Sequence, residues 1–167
     1  MEHEGAVEAA SALTDLSGKY LTFELASEVY GLEILKVQEI MGLMEVTKVP
    51  KLPDYVRGVI NLRGKVIPVI ELRLKFDMDT TEDTDRTCII VVQVATESHD
   101  VTMGIIVDEV KEVLDIQQNQ IEPTPSFGTS VNTSFIMGMG KTEENVIMLL
   151  DVDKVLTMLE LEEIAKG

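Results

Sequence analysis

Asp77-Met78-Asp79-Thr80-Thr81 has the spacing of an aspartyl-phosphate site. In Asp-x-Asp-x-Thr the first carboxylate attacks phosphorus and the second moves a proton. That chemistry needs a parallel α/β sheet to hold both carboxylates, and the chain lacks the strand–helix alternation that builds one. A phosphatase using Asp77 is therefore the weaker reading, and an acidic linker over residues 77–86, which also hold Glu82, Asp83 and Asp85, is the stronger. Gly138-Met139-Gly140-Lys141-Thr142 ends like a phosphate loop, but the first glycine of that motif falls on Phe135 and no helix follows. A hairpin turn explains it. His3 and His99 are the only histidines and Cys88 the only cysteine, so no zinc-spaced ligand set exists. Asp77 is followed by neither the glycine nor the glutamate that a calcium loop requires, and no Gly-x-Ser-x-Gly elbow occurs. The expectation is a protein without catalytic residues, metal or cofactor.

Binding is what remains, and composition narrows the partner. Against 14 Lys+Arg stand 30 Asp+Glu, a net charge of -16 over 167 residues. Such a chain repels phosphate backbones and anionic lipid, so nucleic acid and membrane are poor partners and a protein with basic patches fits better. A chain this long buries about two thirds of its unfolded surface, enough for a real core. No apolar run approaches the roughly 18 residues of a spanning helix, and Met1-Glu2-His3-Glu4 lacks a basic signal region. A lone cysteine beside Ile89-Ile90-Val91-Val92 reads as a buried thiol in a reducing, cytoplasmic setting.

The elements read as mostly β. Residues 1–17 form an acidic, flexible arm with too few apolar residues to hold a helix. Period-two alternation from Tyr20 to Leu25 and again from Val29 to Ile34, across Ala26-Ser27-Glu28, is a first hairpin. Ile34, Val37, Ile40 and Met41 suggest a helical turn feeding a strand near Val46–Val49. Val56–Leu62 and Val66–Leu72 flank Arg63-Gly64-Lys65, a second hairpin whose tip presents Arg63. Pro68 puts that hairpin at a sheet rim. Cys88–Val94 is apolar throughout, as a buried strand is, and Val101–Val107 follows it. Asp151 or Asp153 caps a C-terminal helix whose stripe is Val155, Leu156, Met158, Leu159 and Leu161.

The second half repeats the first. Gly31, Ile34, Val37, Glu39 and Ile40 are matched in spacing by Gly104, Val107, Val110, Glu112 and Val113, and Pro50 by Pro123. Farther on, Gly58 matches Gly138, and Pro68–Leu72 matches Met148–Val152. A repeated pattern of strands most economically makes two similar small barrels, 18–76 and 87–152, joined by the linker 77–86 and followed by the helix 153–167.

Tyr20-Leu21-Thr22-Phe23, Tyr30-Gly31, Val37-Gln38-Glu39-Ile40, Gly58 to Gly64 and Pro68 to Arg73 closely resemble the CheW family of bacterial chemotaxis coupling proteins. Glu71 stands where many members carry Asp. The resemblance implies two five-stranded SH3-like barrels about a pseudo-twofold, no catalysis, and a scaffold that is monomeric when free. It implies as partners the cytoplasmic tip of a chemoreceptor and the regulatory domain of the histidine kinase CheA. By position, Val37, Glu39, Arg63, Cys88, Val110 and Val113 would face the receptor from a groove between barrels, and Phe127 the kinase. A β-barrel interaction module of another two-component pathway shares the fold and differs only in partner.

Overall fold

The computed structural model describes residues 16–95, 99–125 and 134–155. Phe127, residues 1–15 of the arm 1–17 and the apolar stripe from Leu156 onward lie outside them. The first hairpin forms as read, β1 (Gly18–Leu25) with β2 (Glu28–Glu33). Its two-residue turn places Ala26 and Ser27 at φ 50° and 69°, left-handed positions that favour glycine. A 3-10 turn, Ile34–Lys36, feeds a strand, but that strand is β3 (Val37–Gly42), immediately after the turn. Residues near Val46 contribute one bridge only, Thr47 to Val59. β4 (Val56–Leu62) and β5 (Lys65–Glu71) form the second hairpin, and a single helical turn, α1 (Leu72–Lys75), closes it. Then come β6 (Cys88–Ala95), β7 (Asp100–Val107), β8 (Glu109–Ile116), β9 (Ile121–Glu122), β10 (Ile136–Lys141), β11 (Val146–Leu150) and α2 (Val152–Val155).

The strands make two sheets, ordered β8-β1-β2-β11-β10-β9 and β3-β6-β7-β5-β4. Neither sheet closes on itself through hydrogen-bonded ladders, and one has six strands and the other five. Nor does either sheet belong to one half of the chain. The hairpin β1–β2 pairs with β8 and β11, while β6–β7 pairs with β3 and β5. Each half lends its opening hairpin to the other's sheet, so the stretches 18–76 and 87–152 are not separate sheets.

The repeat itself holds at the level of hydrogen bonding. β2 joins β11 in parallel with Gly31 opposite Leu149, and β7 joins β5 in parallel with Gly104 opposite Val69. Both late hairpins carry a register shift at the same place, just before Gly58 and just before Gly138. Gly58 has φ +151°, and a Cβ there would lie 2.1 Å from the Thr47 carbonyl oxygen, so only glycine admits the bridge from residue 47. Pro68 lies on β5, an inner strand, one residue before the β5–β7 ladder begins at Val69. The edge of that hairpin is β4.

Exchange of hairpins explains the continuous apolar run in β6. Ile90, Val92 and Val94 point into a core shared by both sheets, with Phe23, Leu25 and Leu32 of the other sheet. Ile89 and Val91 point the other way, into a second core with Ile60, Ile67 and Ile106. A strand buried on both faces needs no alternation. The six-stranded sheet has its own inner core of Tyr20, Ile116, Ile121, Ile147 and Leu149. Each such side chain, buried from water, contributes about 1.5–3 kcal/mol before entropy is counted.

The acidic segment 77–86 has no regular structure and is tied down by arginines. Arg57 pairs with Asp83 and with Glu71, the latter at 3.2 Å. Arg73 donates to the Asp79 carbonyl at 3.0 Å and grips Asp108 through Nε at 2.8 Å. Asp77 is itself a helix terminator: at φ 59° it ends α1, its amide donating to the Leu74 carbonyl and the Met78 amide to the Arg73 carbonyl. The carboxylate motif is thus a capping turn without a parallel α/β sheet behind it.

Candidate interaction surface

Arg63 and Glu39 lie on segments that share no ladder, and the fold brings them together. Leu62-Arg63-Gly64-Lys65 is a two-residue hairpin turn with φ 51° at Arg63 and 87° at Gly64. Positive φ at both central positions is the mirror-image turn whose twist suits paired strands. The Asn61 side chain accepts the Gly64 amide at 2.8 Å and fixes the tip. From there the guanidinium reaches back over the sheet to β3. Arg63 Nη1 donates to Glu39 Oε2 at 3.3 Å while Nη2 donates to Oε1, a two-pronged pair.

Arg63 remains 72% exposed and Glu39 30%, so the pair is held at the surface. Hydrogen bonding from the guanidinium keeps the Glu39 carboxyl below its ordinary value. On the same two elements Ile40 and Val66 are exposed apolar side chains. An exposed ion pair fixed at a hairpin tip can bind a protein surface.

The other predicted residues divide. Val37, opposite Val92, and Cys88, opposite Gly42 and Val107, are half-buried against the shared core. The thiol donates to the Arg86 carbonyl at 3.2 Å. Val110, opposite Phe23, borders the same core from the other sheet. Val113, opposite Leu21 on β8, is 47% exposed. Val37, Cys88 and Val110 therefore share a border between the sheets, Glu39 and Arg63 touch, and Val113 stands apart on the second edge strand.

Two arrangements had no signal in residue spacing. Arg73 and Asp108, 35 positions apart, form a half-buried pair, with Asp108 also accepting the Ala26 amide at 2.9 Å. Burial pushes the Asp108 carboxyl up, but the Arg73 and Ala26 bonds and the Arg73 charge outweigh it and leave it lowered. The second is the use of the four arginines in the sequence, Arg57, Arg63, Arg73 and Arg86, each of which is paired with a carboxylate. Among the described residues no group of three or more His, Cys, Asp or Glu could hold a metal ion, and no helix is long and apolar enough to cross a membrane. Gly138, Gly140 and Lys141 lie in strand β10, with Lys141 Nζ 2.9 Å from Glu122, in place of a phosphate loop.

Comparison with known proteins identifies the family. Residues 19–160 match the family model of the CheW-like domain. The chemotaxis protein CheW of Klebsiella aerogenes is 38% identical over 143 residues, covering 86% of this chain and 84% of that protein. The CheW of Rhizobium meliloti is 34% identical over 154 residues, covering 92% and 97%. The crystal structure of scaffolding protein TtCheW from Thermoanaerobacter tengcongensis superposes with a TM-score of 0.73 at 36% identity, over 84% of this chain and 92% of that one. With the repeat, the paired open sheets and these matches in agreement, the chain belongs to the CheW-like family of chemotaxis proteins.

Proposed function

We propose that this chain is a non-catalytic cytoplasmic adaptor that couples the cytoplasmic tip of a chemoreceptor to the regulatory domain of the histidine kinase CheA. The observation that carries the reading is the Glu39–Arg63 pair, two residues expected to face the receptor that meet at an exposed hairpin tip in a member of a chemotaxis family. Val37, Cys88 and Val110 would line the receptor site where the two sheets border one another, and Val113 would extend it along β8. Phe127 would contact the kinase. Closure of each sheet into an SH3-like barrel by side chains and loops, with 18–76 and 87–152 as pseudo-equivalent units, is part of the same reading. A partly polar surface of this kind suits a transient interface of about 1,200 Å² or somewhat more and roughly micromolar affinity.

The test is titration of the full chain with a receptor cytoplasmic hairpin and, separately, with a CheA regulatory domain, by calorimetry. Saturable binding to both at micromolar concentration is expected. Binding to neither at tens of micromolar, about the weak end of the range, would sink the proposal.

A further inference from the structure

The internal repeat supplies a template for a second site. Glu39 stands opposite Val91, which pairs with Gly104. On the other sheet, Thr22 pairs with Gly31, and the amide of Glu112 donates to the Thr22 hydroxyl at 3.1 Å, so Glu112 occupies the place of Glu39. The hairpin tips correspond as well. Asn61 opposite Val66 matches Lys141 opposite Val146, and the intervening turns are equally long, so Arg63 falls where Glu143 falls.

The tip residues separate the two places, Arg63-Gly64-Lys65 in one and Glu143-Glu144-Asn145 in the other. On the five-stranded sheet the tip cation bridges to the edge-strand glutamate. On the six-stranded sheet the tip is Glu143-Glu144, of the same charge as Glu112, and all three line an open groove of about 520 Å³. Glu112, Glu143 and Glu144 make no side-chain hydrogen bond or ion pair among the described residues, whereas the groove's one lysine, Lys111, is already held by Glu24 at 2.7 Å. Val29, Leu114 and Ile147 give the groove apolar wall.

We propose that this groove receives an arginine side chain from a protein partner, which takes on Glu112 the position that Arg63 takes on Glu39. The two-pronged geometry at Glu39 selects a guanidinium over an ammonium, and the apolar wall suits the aliphatic stem of arginine. The groove lies on the six-stranded sheet and the Glu39–Arg63 pair on the five-stranded one, so its test does not depend on that pair.

The experiment is two-dimensional NMR of the full chain titrated with the blocked hexapeptide Asn-Leu-Arg-Gly-Lys-Val, and with versions carrying lysine or citrulline in place of arginine. Saturable shifts of the Glu112, Leu114, Glu143 and Glu144 amides are expected with arginine. Binding should be weaker by about fivefold with lysine, and absent with citrulline. Glu112→Gln, an exposed and conservative change, should weaken the arginine peptide by about fivefold, the upper end for an exposed ion pair. No saturation, shifts scattered over the acidic surface alike for arginine and lysine, or indifference to Glu112→Gln would overturn the proposal.

Discussion

The tip of β4–β5 and the tip of β10–β11 occupy equivalent positions in one repeated design, yet one is closed by an ion pair and the other carries two carboxylates beside an open groove. Strand order, parallel joint and bulge are shared. The difference lies in single side chains: Arg63 against Glu143, and with them the turn geometry, since Arg63 and Gly64 take positive φ and Glu143 and Glu144 do not. The contrast extends outward. Glu71 is held by Arg57, whereas Met137 stands at the position equivalent to Arg57, and all four arginines fall in the first half and the linker. Architecture is thus set by glycines and apolar positions common to both halves, and the distribution of arginine makes the halves electrostatically unequal.

The architectural side of the comparison gives the largest expected effect. Gly58→Ala should lower the free energy of unfolding by about 3 kcal/mol, because the new Cβ collides with rigid backbone at a left-handed φ. Gly138→Ala, whose Cβ would lie 3.2 Å from the Glu122 oxygen, should cost about 1 kcal/mol. Urea denaturation of both variants measures the difference, and equal costs would break the claim that the first-half bridge is the tighter joint.

Next comes the arginine-held side. Asp108→Asn leaves the Arg73 guanidinium half-buried beside a neutral amide and should cost about 2 kcal/mol at pH 7. The folded-state carboxyl is lowered, so its stabilisation is present above the unfolded value near pH 4 and is lost as pH falls through the folded one. The variant and the parent should therefore converge in stability below about pH 4; a constant gap would assign the loss to packing.

The tips themselves come third. Arg63→Glu makes the first tip resemble the second and should weaken receptor-hairpin binding about tenfold while kinase binding survives. Glu143→Arg should close the groove against Glu112 and abolish arginine-peptide shifts there. If Arg63→Glu removes both partners and alters the circular dichroism, the pair supports the fold more than the interface.

The smallest effect concerns Glu33, which burial raises most, with Asp151 and Asp153 adding to it and Lys36 opposing. A raised carboxyl stabilises the fold below its unfolded value and loses that contribution as pH rises through the folded one. Glu33→Gln should thus stabilise the protein by about 0.5 kcal/mol at pH 7, discounted for partial exposure, and by nothing at pH 3. Thermal unfolding at the two pH values checks it.

Much of this was legible in the chain. Alternation in Tyr20–Leu25, the apolar run from Cys88 and the spacing from Gly31 to Ile40 repeated from Gly104 to Val113 are local or periodic features, and local sterics and side-chain alternation suffice to write strands from them. The strand beginning at Val37 was harder to read because its apolar residues also fit a helical period. Arg63 at a presented tip followed from the turn residues alone.

Partner choice was another matter. Which hairpin joins which sheet depends on non-local burial, and residues from both halves had to be in place before Ile90 and Phe23 could share a core. Nothing in spacing says that Glu39 lies within reach of Arg63, that Asp108 receives Arg73, or that Glu112 faces Glu143 across open space. The sequence by itself determined the opening hairpins of the two halves, the repeat and the cationic tip at Arg63, because those rest on neighbouring residues. Only the tertiary structure decided which charges meet, because Coulomb attraction depends on distance in space and not along the chain.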